Sequence, residues 1–186
     1  SGLAAKSGIL VRDASALELA GKAKNVVFDK TGTITEGKPV ITNLDAFADN
    51  QIMKEDVINI FYFLEKNSGH PLASAITEYT AGKITGSSDL KMENFKNFPG
   101  RGIEGIINGK KYYIGNMKFI EETGADISVC AGKIQQMEKE GNTIMILSDG
   151  KNCLGYASAQ DPVKKESAEA VRRLKEMGIA VHMVTG

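Results

Sequence analysis

Asn25-Val26-Val27-Phe28-Asp29-Lys30-Thr31-Gly32-Thr33-Ile34-Thr35 joins three consecutive apolar residues to a carboxylate and then to a hydroxyl-rich turn. Two β-branched residues and an aromatic ring favour a strand. An unbroken apolar run, rather than an alternating one, predicts a parallel strand buried on both faces. Asp29 then stands at the carboxyl end of that strand, where open α/β sheets bind their ligands. A carboxylate there can attack a phosphoryl group and form an aspartyl phosphate. Backbone N–H groups of the turn at Gly32 and the hydroxyls of Thr31 and Thr33 can receive phosphate oxygens, and Lys30 adds positive charge. Thr31, two residues after Asp29, is not a general base near neutral pH. The residues therefore point to a phosphoenzyme that persists.

Outward from this stretch, residues 9–12 (Ile-Leu-Val-Arg) read as a strand and residues 14–21 as a helix ending at Gly21. Beyond Gly37 the pattern changes. Residues 39–45 read as a strand, and residues 54–66 carry a helical stripe of Val57, Ile58, Ile60, Phe61 and Leu64. Ser68-Gly69-His70-Pro71 breaks that helix, and Pro71 suits the first turn of the next, to about residue 81. A Gly/Ser-rich loop over 82–89 follows, then an antiparallel meander over 91–97, 103–107 and 112–114, turned at Asn108-Gly109. Residues 116–123 and 128–140 read as helices. Thr143–Leu147 and 152–158 form a second hairpin around Asp149-Gly150. At Asp161-Pro162 the α/β pattern returns: an amphipathic helix over 164–177, stopped by Gly178, and an apolar strand from Ile179 to Val184. Asp161 suits the N-cap of that helix and Pro162 its first position. The middle thus reads as an insertion between two strands of an α/β unit, with Gly37 and Asp161-Pro162 near the crossings. Both ends read as cuts from a longer chain.

Composition narrows the function classes. Lysine plus arginine equals aspartate plus glutamate at 23 each, so no global field favours nucleic acid or an anionic membrane. Trp is absent, which leaves little stacking surface for single-stranded nucleic acid. No apolar run is long enough to span a bilayer. Cys130 and Cys153 lie far apart in sequence and read as isolated reduced thiols, not as a metal cluster.

The heptad Asp29–Thr35 resembles the phosphorylation motif of P-type ATPases. Glu65-Lys66-Asn67-Ser68-Gly69-His70-Pro71-Leu72 resembles the Ser-Glu-His-Pro element of the heavy-metal-transporting members, and Pro99-Gly100-Arg101-Gly102-Ile103 their Gly-x-Gly turn. Gly69 departs from the usual Glu before His-Pro, whereas Glu65, five residues before the His, matches. The chemistry suits adenine: His70 supplies a ring contact, Glu65 an acceptor for the exocyclic amine, and Gly100 and Gly102 a close backbone approach. The resemblance implies a haloacid-dehalogenase-like parallel-sheet phosphorylation domain (incomplete), residues 1–36 and 161–186. It implies an inserted α+β nucleotide-binding domain on an antiparallel sheet, residues 37–160. It implies ATP and Mg²⁺ as cofactors, with Asp29 and Thr31 on the metal, and a parent protein embedded in a membrane. Asp161 is implied at the hinge or the ribose and Lys164 near the phosphates. Met183-Val184-Thr185-Gly186 resembles a second phosphate-contacting motif, which places Thr185 and Gly186 in the catalytic set. The implied cargo is a heavy-metal ion bound by membrane helices outside this chain; copper is the first choice, with zinc, cadmium and cobalt open. Two other readings stand beside this one: a haloacid-dehalogenase-class phosphatase with a large cap, and a nucleotide-binding module without turnover.

Overall fold

A computed structural model of the chain describes residues 6, 8–11, 13–48, 52–84 and 91–184. The chain divides into two compact units, Ser1–Gly37 with Val163–Gly186, and Lys38–Pro162.

In the first unit, strand β1 (Asn25–Asp29) pairs in parallel with β8 (Ala180–Val184), in a register that sets Asp29 beside Val184. Helix α1 (Ala14–Gly21) starts at Asp13, whose carboxylate accepts the Ala16 N–H, and α6 (Ser167–Glu176) precedes β8. Three expectations change here. Residues 9–11 are not a strand, and Leu10 is 93% exposed, because no strand among the described residues pairs with them; Arg12 lies outside the described residues. β1 is parallel but not buried: this sheet has two strands among the described residues, and the side chains of Val27 and Met183 stay open to solvent. Helix α6 begins at Ser167 with Glu166 at its N-cap position, so Asp161 and Pro162 do not start it. Val163 is instead drawn into a bridge with Thr35, and the Lys164 N–H donates to Ile34 O, which holds this segment extended.

The second unit is built on a six-stranded sheet of order β2-β7-β6-β5-β4-β3. Its strands are β2 (Val40–Ala46), β3 (Met92–Phe98), β4 (Gly102–Ile107), β5 (Lys110–Gly115), β6 (Thr143–Ser148) and β7 (Cys153–Gln160), all paired antiparallel. Both faces are covered. Helices α2 (Lys54–Glu65) and α3 (Pro71–Thr80) pack on one through Val57, Phe61, Leu64 and Ile76. Helices α4 (Met117–Glu122) and α5 (Ser128–Lys139) cover the other through Phe119, Ile120, Cys130 and Ile134. Along β6, Met145 and Leu147 face the first pair while Ile144 and Ile146 face the second. That alternation explains why this strand is apolar without a break from Ile144 to Leu147. Residues 82–84 lie in no helix or strand, and 85–90 fall outside the described residues.

A bulge between Leu147 and Ser148 shifts the β6–β7 register. It lets Cys153 and Tyr156, three residues apart, share the α4/α5 face. Cys153 Sγ thereby comes within 3.2 Å of Cys130 Sγ on α5, and both residues are buried thiols outside any disulfide. They are neighbours, not isolated residues. The hydrogen bond shared between the two sulfurs, and then burial, push the Cys153 thiol well above its ordinary range.

Candidate functional site

The second unit holds a cavity of about 220 Å³ whose lining includes Glu65, His70, Gly100 and Gly102. Glu65 is the last residue of α2 and is only 4% exposed. Burial raises its carboxyl to about 7, partly offset by a hydrogen bond from Ser68. The chain then turns sharply: the Ser68 N–H donates to Glu65 O at 2.8 Å, and Ser68 Oγ accepts the His70 N–H at 3.3 Å. His70 is the N-cap of α3, its Nδ1 accepting the Leu72 N–H at 3.2 Å. In the neutral ring the proton therefore sits on Nε2, which is left as a donor. Pro71 follows at the first helical position, where a missing N–H removes no helix bond. Ser68 thus ties Glu65 to His70.

The opposite wall is the turn between β3 and β4. Arg101 N–H donates to Phe98 O at 3.0 Å, and Gly100 takes φ +71°. With Pro99 before it, this is the pattern of a type II turn. Gly102 is glycine for another reason. A Cβ there would lie 2.3 Å from Ile114 O and 2.6 Å from the Phe119 ring. Gly115, its partner on β5, is equally crowded, with Phe119 Cδ1 at 2.5 Å from a built Cβ. The phenyl ring of Phe119 fills the space that the two missing side chains leave, so packing requires glycine at 102.

Asn116 fastens this wall. Its Oδ1 accepts the Phe119 N–H and caps α4, its Nδ2 donates to Gly100 O at 3.3 Å, and its own N–H donates to Arg101 O. Gly115 and Asn116 both line the cavity. Ser68 lies inside the segment that resembles the Ser-Glu-His-Pro element but is not among the predicted site residues, and Gly115 and Asn116 carry no motif that singles them out; for Asn116 the one available signal is Asn before a helix start. Ile103, Ile114, Ile144 and Met145 complete apolar walls. The lining thus combines apolar side chains with the ionisable Glu65, His70 and Arg101.

The Asp29 loop belongs to the first unit. Asp29 is exposed, as are Thr31 and Thr33, and Lys30 is half-buried. Thr35, buried, organises the turn: its hydroxyl donates to Lys30 O at 3.0 Å and accepts the Gly32 N–H at 3.2 Å. That N–H is thereby already engaged. Lys164 Nζ donates to Gly32 O at 2.6 Å, and Ser167 Oγ to Ile34 O at 2.8 Å. The segment after Asp161-Pro162 thus braces the loop, and Lys164 stands at the turn that follows Asp29. Asp161 is half-buried and is not among the residues lining the cavity. Thr185 and Gly186 lie outside the described residues. Among the described residues no three His, Cys, Asp or Glu side chains gather to hold a metal ion. Mg²⁺ takes an octahedron of oxygens; Asp29 with neutral Thr31 does not complete one.

The family model of haloacid dehalogenase-like hydrolases matches residues 23–186. Over 188 residues the chain is 38% identical to a cadmium-transporting ATPase of Staphylococcus aureus, covering 100% of this chain and 26% of that one. It is 34% identical over 186 residues to a probable copper-importing P-type ATPase A of Enterococcus hirae, covering 100% and 24%. It therefore spans about a quarter of these relatives' length. A crystal structure of a zinc-transporting PIB-type ATPase in its E2.Pi state superposes with a TM-score of 0.72 at 29% identity, over 98% of this chain and 28% of that chain. No helix among the described residues is long and apolar enough to cross a membrane. The chain belongs to the haloacid dehalogenase-like hydrolases, and along its whole length it is similar to heavy-metal P-type ATPases.

Proposed function

We propose that this chain is the cytoplasmic catalytic segment of a heavy-metal P-type ATPase. Its cavity holds the base of ATP, and in the complete pump Asp29 accepts the γ-phosphoryl group. The observation that carries this reading is the cavity wall, where Glu65 and His70 from one stretch of sequence meet Gly100 and Gly102 from another. The apolar walls stack the adenine. Glu65 accepts from the exocyclic amine, and the Nε2–H of His70 donates to an acceptor of the nucleotide.

The chemistry at Asp29 is an in-line displacement. A carboxylate oxygen forms a bond to the γ-phosphorus while the bond from that phosphorus to the bridging oxygen breaks. The electron pair leaves on ADP. Water later cleaves the acyl phosphate and returns the carboxylate. Positioning and electrostatics carry such a transfer. Lys164 and Thr35 hold the loop in shape, and Lys30 contributes positive charge. Thr31 leaves the acyl phosphate without an adjacent carboxylate base, so the intermediate lasts long enough to be coupled to ion movement. Domain limits near Gly37 and Asp161-Pro162 belong to the same reading.

Calorimetric titration with ATP tests the nucleotide part. Wild type is expected to bind, and His70→Ala and Glu65→Ala each to weaken binding about tenfold or more, roughly 1.4 kcal/mol. Binding unchanged in both variants would remove the cavity from the reading.

A further inference from the structure

Arg101 is the one permanent cation among the described residues that line the cavity. The other ionisable side chains of that lining are Glu65 and His70. A nucleoside triphosphate brings several negative charges, so a cavity that takes its base needs positive charge where the phosphates emerge.

Backbone and side chain both fix Arg101 at the turn that lines the cavity. Its N–H closes the turn onto Phe98 O, and its carbonyl accepts the Asn116 N–H, each at 3.0 Å. The guanidinium lies 5.4 Å from the centroid of the Phe119 ring and pairs with the Glu122 carboxylate at the end of α4. Both partners of that pair are nearly half exposed, at 48% and 43%. An ion pair this open adds little to folding and is readily exchanged for another oxyanion. The planar fork of arginine suits a carboxylate and a phosphate alike, and the ring contact keeps the guanidinium near the turn during an exchange.

We propose that Arg101 is a phosphate-contacting residue of the nucleotide site, its guanidinium passing from Glu122 to the nucleotide's phosphates when the base enters the cavity. This rests on the reading that the cavity takes ATP. Glu122 then acts as a competing anion that holds the arginine extended when no nucleotide is bound. Arg101 sets the preference for nucleotides over nucleosides, while Glu65 and His70 address the base.

ATP and adenosine titrations of the wild-type chain, Arg101→Ala and Glu122→Gln, followed by NMR, test this. Arg101→Ala is expected to weaken ATP about fivefold or more and to leave adenosine within about twofold, because only the phosphates lose a charged partner. Glu122→Gln is expected to tighten ATP about twofold and to leave adenosine unchanged. Parallel losses for ATP and adenosine in Arg101→Ala would show that the residue only shapes the turn and would overturn the proposal. Unchanged ATP binding in Arg101→Ala would overturn it as well. If the wild type binds neither compound, the nucleotide reading of the cavity itself fails, a result distinct from both.

Discussion

Glu65 couples the cavity to pH. Its carboxyl is raised from 4.5 to about 7 because it is buried. Between those values the folded chain keeps a proton that the unfolded chain has released. The resulting stability is fully present below the unfolded value and is lost as pH rises through about 7. The loss amounts to about 3 kcal/mol at most. Urea unfolding midpoints at pH 5 and pH 8 check this: Glu65→Gln is expected to fall less between them than wild type does. An equal fall in both proteins would assign the pH dependence to other groups. The two glycines opposite separate conformation from crowding. Gly100→Ala is expected to cost about 1–2 kcal/mol through its positive φ. Gly102→Ala is expected to cost on the order of 1–3 kcal/mol and to shift the Phe119 resonances, because its Cβ meets Ile114 O and that ring. At this scale the sequence shows Glu65 and His70 because both sit in one short segment. It hides Asn116, whose bonds to Gly100 and Arg101 exist only once β4 and β5 have paired.

Elements were legible wherever the signal was local. Asn108-Gly109 and Asp149-Gly150 mark hairpins, and both glycines take positive φ, at +78° and +85°. Pro71 opens α3 at its first position. The misses share a cause, which is that tertiary partners decide. Residues 9–11 have strand-forming side chains but no ladder. The start of α6 is delayed to Ser167 because Val163 and Lys164 are held by Thr35 and Ile34. The Cys130–Cys153 contact depends on a bulge that no periodicity reveals. One prediction belongs here. Asn116→Ala removes the α4 cap and the hold on the turn together, so it is expected to destabilise by about 1–2 kcal/mol in urea. It is also expected to weaken ATP, because the Gly100–Arg101 wall loosens. Lost stability with unchanged ATP affinity would confine Asn116 to the helix.

The two units differ in how their apolar residues are covered. In the Lys38–Pro162 unit Leu64, Ile76, Ile114, Ile146 and Leu147 are sealed between sheet and helices. In the other unit Val27, Val163, Met183 and Val184 are each more than half exposed. Opening free energies follow buried contacts. Amide hydrogen exchange is therefore expected to be slowest in β5, β6 and β7 and much faster in β1 and β8; equal protection would contradict this reading of the core. Continuous apolar runs identified β1 and β8, and hairpin turns identified the inserted sheet. Periodicity did not reveal that the β1–β8 pair stays open, because burial depends on what else packs there. The most direct test of the nucleotide reading is an amide chemical-shift map on adding ATP. The expected result is that perturbations gather at Glu65–Leu72, Phe98–Ile103 and Gly115–Asn116. Saturating ATP with no shifts at those residues, or with shifts confined to Asp29–Thr35, would contradict it.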